Sequence, residues 1–282
     1  MPYKIIEKVR LNSVMWKMAV EAPFVATGAK AGQFVVIIID EKGERIPLTI
    51  NSNDPEKGAI TIMFQEAGKT TKKLGMLNAG DHLSDLIGPL GKATHFGKVG
   101  KIVLVAGGVG IAEITPIAKY AKASGNFVLT IVGARTKELL ILEEEVKRYS
   151  DKLIVTTDDG SYGIKSLVTG PLKEELEKEK FDLCYCVGPD IMMKAVSQVT
   201  REHGLKTIVS LDANMVDATG MCGTCRVTVG GKTRFACVDG PEFDAHLIDW
   251  DDFLKRQKRF KDEEKISLDL FQEKHKNCMY KA

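Results

Sequence analysis

The sequence predicts an antiparallel β-barrel, then a doubly wound parallel α/β domain, then a small C-terminal module built on cysteines. Three observations carry this reading. From Tyr3 to about Gly91, short β-rich runs are broken by turn residues; from Lys98, apolar strands alternate with helical stretches; after Thr207 the alternation stops and a Cys- and Gly-bearing loop begins.

In the first region the runs are "YKIIEKVRL", "MWKMAVEAP", "QFVVIIID", "IPLTINS", "AITIMFQ" and "HLSDLIGPLG". Gly, Pro, Asn and Asp interrupt them roughly every ten residues, the rhythm of a small barrel. Helical periodicity is expected only around Thr70 to Leu77, and residues 1–96 are assigned to this domain.

In the second region "KIVLVAGG" precedes the helical "IAEITPIAKYAKAS". The strands "NFVLTIVGA", "KLIVTTDD" and "DLCYCVG" are each followed by a helical stretch, the last being "DIMMKAVSQVTREHG". Strands alternating with helices of about 10 to 15 residues imply βαβ units and a parallel sheet covered on both faces. Residues 97–208 are assigned here. Cys184 and Cys186 share one strand face and are expected to be buried packing.

Residues 209–282 form the third unit, with a charged tail carrying Trp250, Phe253, Leu254 and Phe260 at helical spacing. That spacing would suit a partner's docking face, but packing on its own chain is the expectation.

Composition narrows the function. A net charge of +2 over 282 residues gives no general pull toward nucleic acid or anionic membrane. No apolar run approaches the roughly 20 residues of a membrane span, and nothing near Met1 reads as a signal peptide, so a cytoplasmic protein is expected. Thiols stay reduced there, and the six cysteines read as ligands or buried hydrophobes.

Chemistry concentrates in "NMVDATGMCGTC" and the cysteine beyond it. Asp217, Cys222, Cys225 and Cys237 follow D-x4-C-x2-C-x11-C, the plant-type two-iron ferredoxin spacing with aspartate in the first place. A carboxylate oxygen is an acceptable donor to ferric iron. Asp212 and Asp239 compete for that place, and a zinc ribbon short of one ligand or a metal-free thiol pair are the other readings. "RVTVGGKTRFACVDGP" predicts a hairpin turning at Gly230-Gly231 that returns Cys237 to the other donors.

"VAGGVGIAEITP" follows a strand and opens a helix, where glycines let a dinucleotide pyrophosphate approach. Glu113 stands where a third fingerprint glycine would be. "VGAR", "VGPD" and "TTDDGSYG" end later strands, and such ends line one cleft in doubly wound sheets. In the barrel, Thr49 of "RIPLTI" offers a hydroxyl, and Gly68 to Thr71 of "EAGKTTKKL" offer amides and hydroxyls to a phosphate; alone, these are common turn residues.

Taken in order, "AGQFV", "RIPLT", "GKTT", "VAGGVGIA", "VGAR", "VGPDIMM" and "DATGMCGTC" with its later Cys resemble the ferredoxin–NADP reductase superfamily. Within it the chain is similar to the iron–sulfur flavoprotein subunits related to the dihydroorotate dehydrogenase electron-transfer subunit. It is most similar to the small subunits of NADH-dependent reduced ferredoxin:NADP oxidoreductases, the electron-bifurcating transhydrogenases. The likeness covers about residues 3 to 245.

The resemblance implies FAD in the barrel cleft, NAD(H) or NADP(H) on the parallel domain, and a [2Fe-2S] cluster in the last module. Pro47, Leu48 and Thr49 would line the isoalloxazine, with Thr49 nearest its N5 and taken as the catalytic position. Gly68, Thr70 and Thr71 would hold the FAD phosphates. The superfamily's pyrophosphate arginine is offset, since Ile46 stands there and Arg45 is one place earlier. Gly107, Gly108 and Gly110 would admit the dinucleotide, and Gly188 and Pro189 would border the nicotinamide. NAD is the form the resemblance implies, whereas Arg135 after "VGA" offers a cation for a 2′-phosphate and leaves NADP open. Relatives often carry proline at Glu113. The bifurcating small subunits share the aspartate at Asp217.

The implied function passes electrons from NADH through FAD to the cluster, then to a larger flavin and iron–sulfur subunit in a heterodimer that handles NADP and ferredoxin. Alternatives are the electron-transfer subunit of dihydroorotate dehydrogenase or of a hydrogenase-type diaphorase. A non-enzymatic electron carrier or regulatory metal-binding protein is the reading from another class.

Overall fold

The computed structural model describes residues 3–41 and 43–279, with side chains through residue 275. The first seven strands form one antiparallel sheet, in the spatial order His82–Leu83, Tyr3–Arg10, Met15–Glu21, Ala59–Gln65, Arg45–Asp54, Phe34–Ile38 and Asp85–Leu90. Its two edge strands are separated in the chain by Ser84 alone. The sheet therefore curls until its ends meet, which leaves little open edge. Val35 and Ile37, Ile60 and Ile62, and Met18 and Val20 are two residues apart and fully buried, the period-2 inward face of a barrel. A short helix, Pro23–Gly28, was not expected; six residues are too few to show a helical period.

The second sheet runs Ile164–Lys165, Lys152–Thr157, Phe127–Ala134, Lys101–Gly107, Leu183–Val187, Thr207–Ser210 and Glu242–Asp244, parallel except for the last strand. Ile102 to Ala106 are all 0% exposed, as a central strand covered on both faces requires. The chain steps from Lys101–Gly107 toward one edge, then returns to add Leu183–Val187 on its other side. This reversal is a topological switch point, where such sheets bind ligands at the carboxyl ends of their strands. The barrel and parallel sheet expected from the sequence are both present.

Two differences concern the third unit. Alternation was expected to fail at Thr207, but Thr207–Ser210 continues the parallel sheet. Four residues leave too short a trace to read. Glu242–Asp244 then pairs antiparallel with it, so the C-terminal unit is stitched into the sheet. The tail forms two helices, Trp250–Gln257 and Lys261–Met279. Trp250 and Phe253 enter the core alongside Cys225 and Cys237, so this part of the tail packs on its own chain as expected.

One contact fixes the barrel against the parallel domain. The helix Gly110–Ala123 contains Pro116, which has no N–H to give to the carbonyl of Ala112. Asn51, on the barrel strand Arg45–Asp54, donates its side-chain amide to that carbonyl at 2.7 Å. The helix defect is thereby satisfied from the other domain. Glu113, next to Ala112, and Thr49, two residues before Asn51, line one cavity.

Candidate functional site

Two cavities meet between the domains. The larger, about 990 Å³, is walled by Arg45 to Thr49 on the barrel, by Val109 and Glu113 at the start of the helix, and by Met215, Val216 and Thr224 of the cysteine loop. The smaller, about 610 Å³, lies over the switch point and is bordered by Gly107, Gly108, Arg135, Gly188 and Pro189. Both fall in the size range of sites for cofactor-sized ligands.

The expected residues sort by what they touch. Arg45, Pro47, Leu48, Thr49 and Thr71 line the larger cavity. Gly68 and Thr70 do not. Thr70 is buried and donates to the carboxylate of Glu44, which also takes Lys69 at 2.8 Å. The amides of Ala67 and Gly68 donate to the hydroxyl of Thr71, each at 3.0 Å, so this loop is closed on itself.

Gly110 does not border the smaller cavity. A Cβ there would lie 2.5 Å from the carbonyl oxygen of Val187, so this glycine lets the helix abut the neighbouring strand. Gly188 has φ +150°, and its Cβ would stand 3.0 Å from the Gly107 backbone. The two strand ends therefore almost touch at the switch point. A Cβ on Gly108 would meet nothing within 4 Å, since its Cα faces open space.

The cysteine loop is organised by its aspartate. The Asp217 carboxylate accepts from the amide of Thr219 at 2.9 Å and from that of Cys222 at 2.7 Å, which holds its carboxyl below the usual range. The predicted hairpin forms as Arg226–Val229 and Lys232–Phe235, joined at Gly230 and Gly231. Cys225 and Cys237 flank its ends, and their sulfurs are 3.3 Å apart. Burial, then the Cys225 thiol, push Cys237 up to about 12. Cys222 is exposed, and contacts from Thr224 lower its thiol.

The four expected donors thus share one loop system, yet no three His, Cys, Asp or Glu side chains among the described residues are placed to hold one metal ion. The donor chemistry nevertheless suits iron. Asp239 is engaged as acceptor for the Phe235 amide at 2.8 Å, Asp212 lines the cavities, and His246 faces Thr200 at 3.1 Å. Two soft thiols in contact, with Cys222 and the Asp217 carboxylate on the same loop, offer a mixed S₃O set.

Several wall residues escaped the sequence reading. Phe260, Glu263 and Glu264 of the tail line the larger cavity, where only general packing was expected. Glu113 had a visible signal, an acid inside the apolar "GIAEITPIA". Its carboxyl is raised to about 7 by burial, then by Asp212, against a hydrogen bond from Thr49. Asp212, open to the cavities, is raised to about 6 by desolvation among its neighbours and by Asp190. Cys184 and Cys186 are fully buried, as expected of packing.

Comparison with known proteins agrees with this arrangement. Residues 104–198 match the oxidoreductase NAD-binding domain, and residues 212–249 match the iron–sulfur cluster binding domain of dihydroorotate dehydrogenase B. A dihydroorotate dehydrogenase B (NAD(+)) electron transfer subunit homolog of Thermotoga maritima is 47% identical, over 95% of either chain. An uncharacterized protein of Clostridium beijerinckii is 49% identical, over 93% of this chain and 92% of that one. A solved structure from work on flavin-based electron bifurcation, that of an NADH-dependent reduced ferredoxin-NADP oxidoreductase, superposes with a TM-score of 0.91. It is 46% identical and covers 96% of this chain and 98% of its own.

Proposed function

This chain belongs to the family of dihydroorotate dehydrogenase B electron-transfer subunits and their homologues, and from that premise we propose that it carries electrons from NADH through FAD to a [2Fe-2S] cluster. It is an oxidoreductase subunit with a ferredoxin-reductase-like fold. The observation that carries the finer reading is the shared wall. A single cavity is bounded by the barrel strand with Thr49, by the helix that opens the NAD-binding domain, and by Thr224, the neighbour of Cys225.

The residues fit the groups assigned to them. Pro47 and Leu48 give an apolar surface for a flat ring, Thr49 a hydroxyl, and Arg45 a cation for a phosphate. Gly108 leaves space above the switch point for a pyrophosphate. Cys222, Cys225, Cys237 and Asp217 would hold the irons, and the Asp217 carboxylate is the one hard donor among them. When bound, flavin and cluster together supply the conversion from two-electron to one-electron chemistry that nicotinamide lacks. The protein's own task is to hold the two cavities against one another, exclude water, and keep the cysteine loop at the cavity wall.

A cluster at the cavity wall needs an acceptor, and a larger flavin and iron–sulfur subunit handling NADP and ferredoxin completes the proposal. The structure of the bifurcating oxidoreductase, 46% identical over 96% of this chain, supports that partner, while the dihydroorotate dehydrogenase B electron transfer subunit homolog, 47% identical over 95%, keeps dihydroorotate dehydrogenase as the alternative. Among the described residues no helix is long and apolar enough to cross a membrane. The test is anaerobic addition of NADH to the purified protein while the flavin absorbance is followed. Bleaching supports the proposal; bound FAD that stays oxidised rejects it. Copurification and mass identification of the bound subunit decide between the two partners.

A further inference from the structure

The two cavities share Gln65, Val109, Glu113, Ser210 and Asp212 as a common wall. If, as proposed above, one cavity takes the dinucleotide and the other the flavin, their reacting rings meet across these residues. Glu113 is the best anchored of them. It lines the larger cavity together with Thr49, and the helix that carries it is tied to the barrel through Asn51 and Ala112.

The charged and titratable groups around it are few. Asp212 faces it from the loop after Thr207–Ser210; behind Asp212 stands Asp190, hydrogen-bonded by Gln257 at 3.3 Å and influenced by Lys261. On the strand Leu183–Val187, Tyr185 donates its hydroxyl to Glu242 at 2.8 Å, and Thr94 donates to the same carboxylate. No lysine or arginine lines the shared wall.

An oxidised nicotinamide ring is cationic and a reduced ring is neutral. We propose that Glu113 selects between them by charge: ionised, it favours the oxidised dinucleotide, and protonated, it does not, so pH sets the relative affinity for the two forms. The direction follows from linkage. A cation beside the carboxylate stabilises the deprotonated state, so binding of the oxidised form releases a proton and tightens as pH rises through the titration of Glu113. A carboxyl held up at about 7 places that change near neutrality.

The test uses the anaerobic holoprotein and calorimetric titration at pH 6 and pH 8. The probes are NAD+ and its unreactive tetrahydronicotinamide analogue, which has an uncharged ring. In the native protein the preference for NAD+ over the analogue is expected to rise roughly fivefold between the two pH values. Glu113→Gln, which keeps the shape without the charge, is expected to flatten that rise. A flat ratio in the native protein, or the same rise in Glu113→Gln, overturns the inference and leaves the dinucleotide site standing. Binding of neither probe overturns both.

Discussion

The strand-end crevice and the cysteine loop each wall one of the two cavities, but opposite means shape them. The crevice is backbone held by packing, with strands on either side of Gly107 and Gly188 that are almost fully buried. The loop takes left-handed conformations at Ala218, Gly220 and Gly223, with φ of 58°, 83° and 68°, and its Thr219 and Cys222 amides donate to the Asp217 carboxylate. A crevice of the first kind exists before its ligand arrives. A loop of the second kind couples its final form to the metal, because metal binding and local folding share one free energy. The exposed Cys222 beside a closed Cys225–Cys237 pair is consistent with that difference.

The comparison can be broken at several points. Cys225→Ser or Cys237→Ser is expected to abolish the cluster, read as loss of visible absorbance and of iron, while NAD+ binding measured by calorimetry changes less than about twofold. A collapse of NAD+ binding would show that the crevice also depends on the loop. Phe253→Ala removes a fully buried ring beneath the loop and is expected to cost about 4 kcal/mol in denaturant unfolding. No loss would contradict the packing assigned to the tail.

On the crevice side the expected effects are smaller. Gly110→Ala forces a methyl against the Val187 carbonyl and is expected to cost about 1–3 kcal/mol. Asn51→Ala leaves the Ala112 carbonyl without its donor and is expected to cost about 1–3 kcal/mol while loosening the two domains, seen as faster amide exchange in Gly110–Ala123. Neither change should alter iron content.

The smallest effect concerns pH. The folded carboxyl of Glu113 lies above its ordinary value of 4.5, at about 7. Between those values the folded state binds more protons than the unfolded one, so this group's contribution to stability falls as pH rises from about 4.5 to 7. Glu113→Gln is therefore expected to raise the melting temperature relative to the native protein at pH 8 and to leave it unchanged at pH 4.5.

Much of this arrangement was legible in the sequence because it rests on local pattern. Short β-rich runs broken by turn residues marked the barrel, continuous apolar runs such as "KIVLVAG" marked strands covered on both faces, and the Gly230-Gly231 pair marked the hairpin. What could not be read depends on distant contacts. Thr70 turns to Glu44, Gly110 serves helix packing, and Phe260 reaches the larger cavity because the tail folds back across the molecule. Asn51 answers a defect made by Pro116, 65 positions later by the numbering, and no local window contains both.

The central claim is that the loop at the cavity wall holds a cluster able to exchange electrons with a flavin in that cavity. Its most direct test is metal analysis and low-temperature EPR on anaerobically purified protein before and after stoichiometric NADH. The account predicts about two irons and two labile sulfides per chain, with a paramagnetic signal appearing on reduction. Zinc or no metal at full occupancy of FAD, or a cluster that NADH cannot reduce even when the flavin is fully bleached, would contradict it.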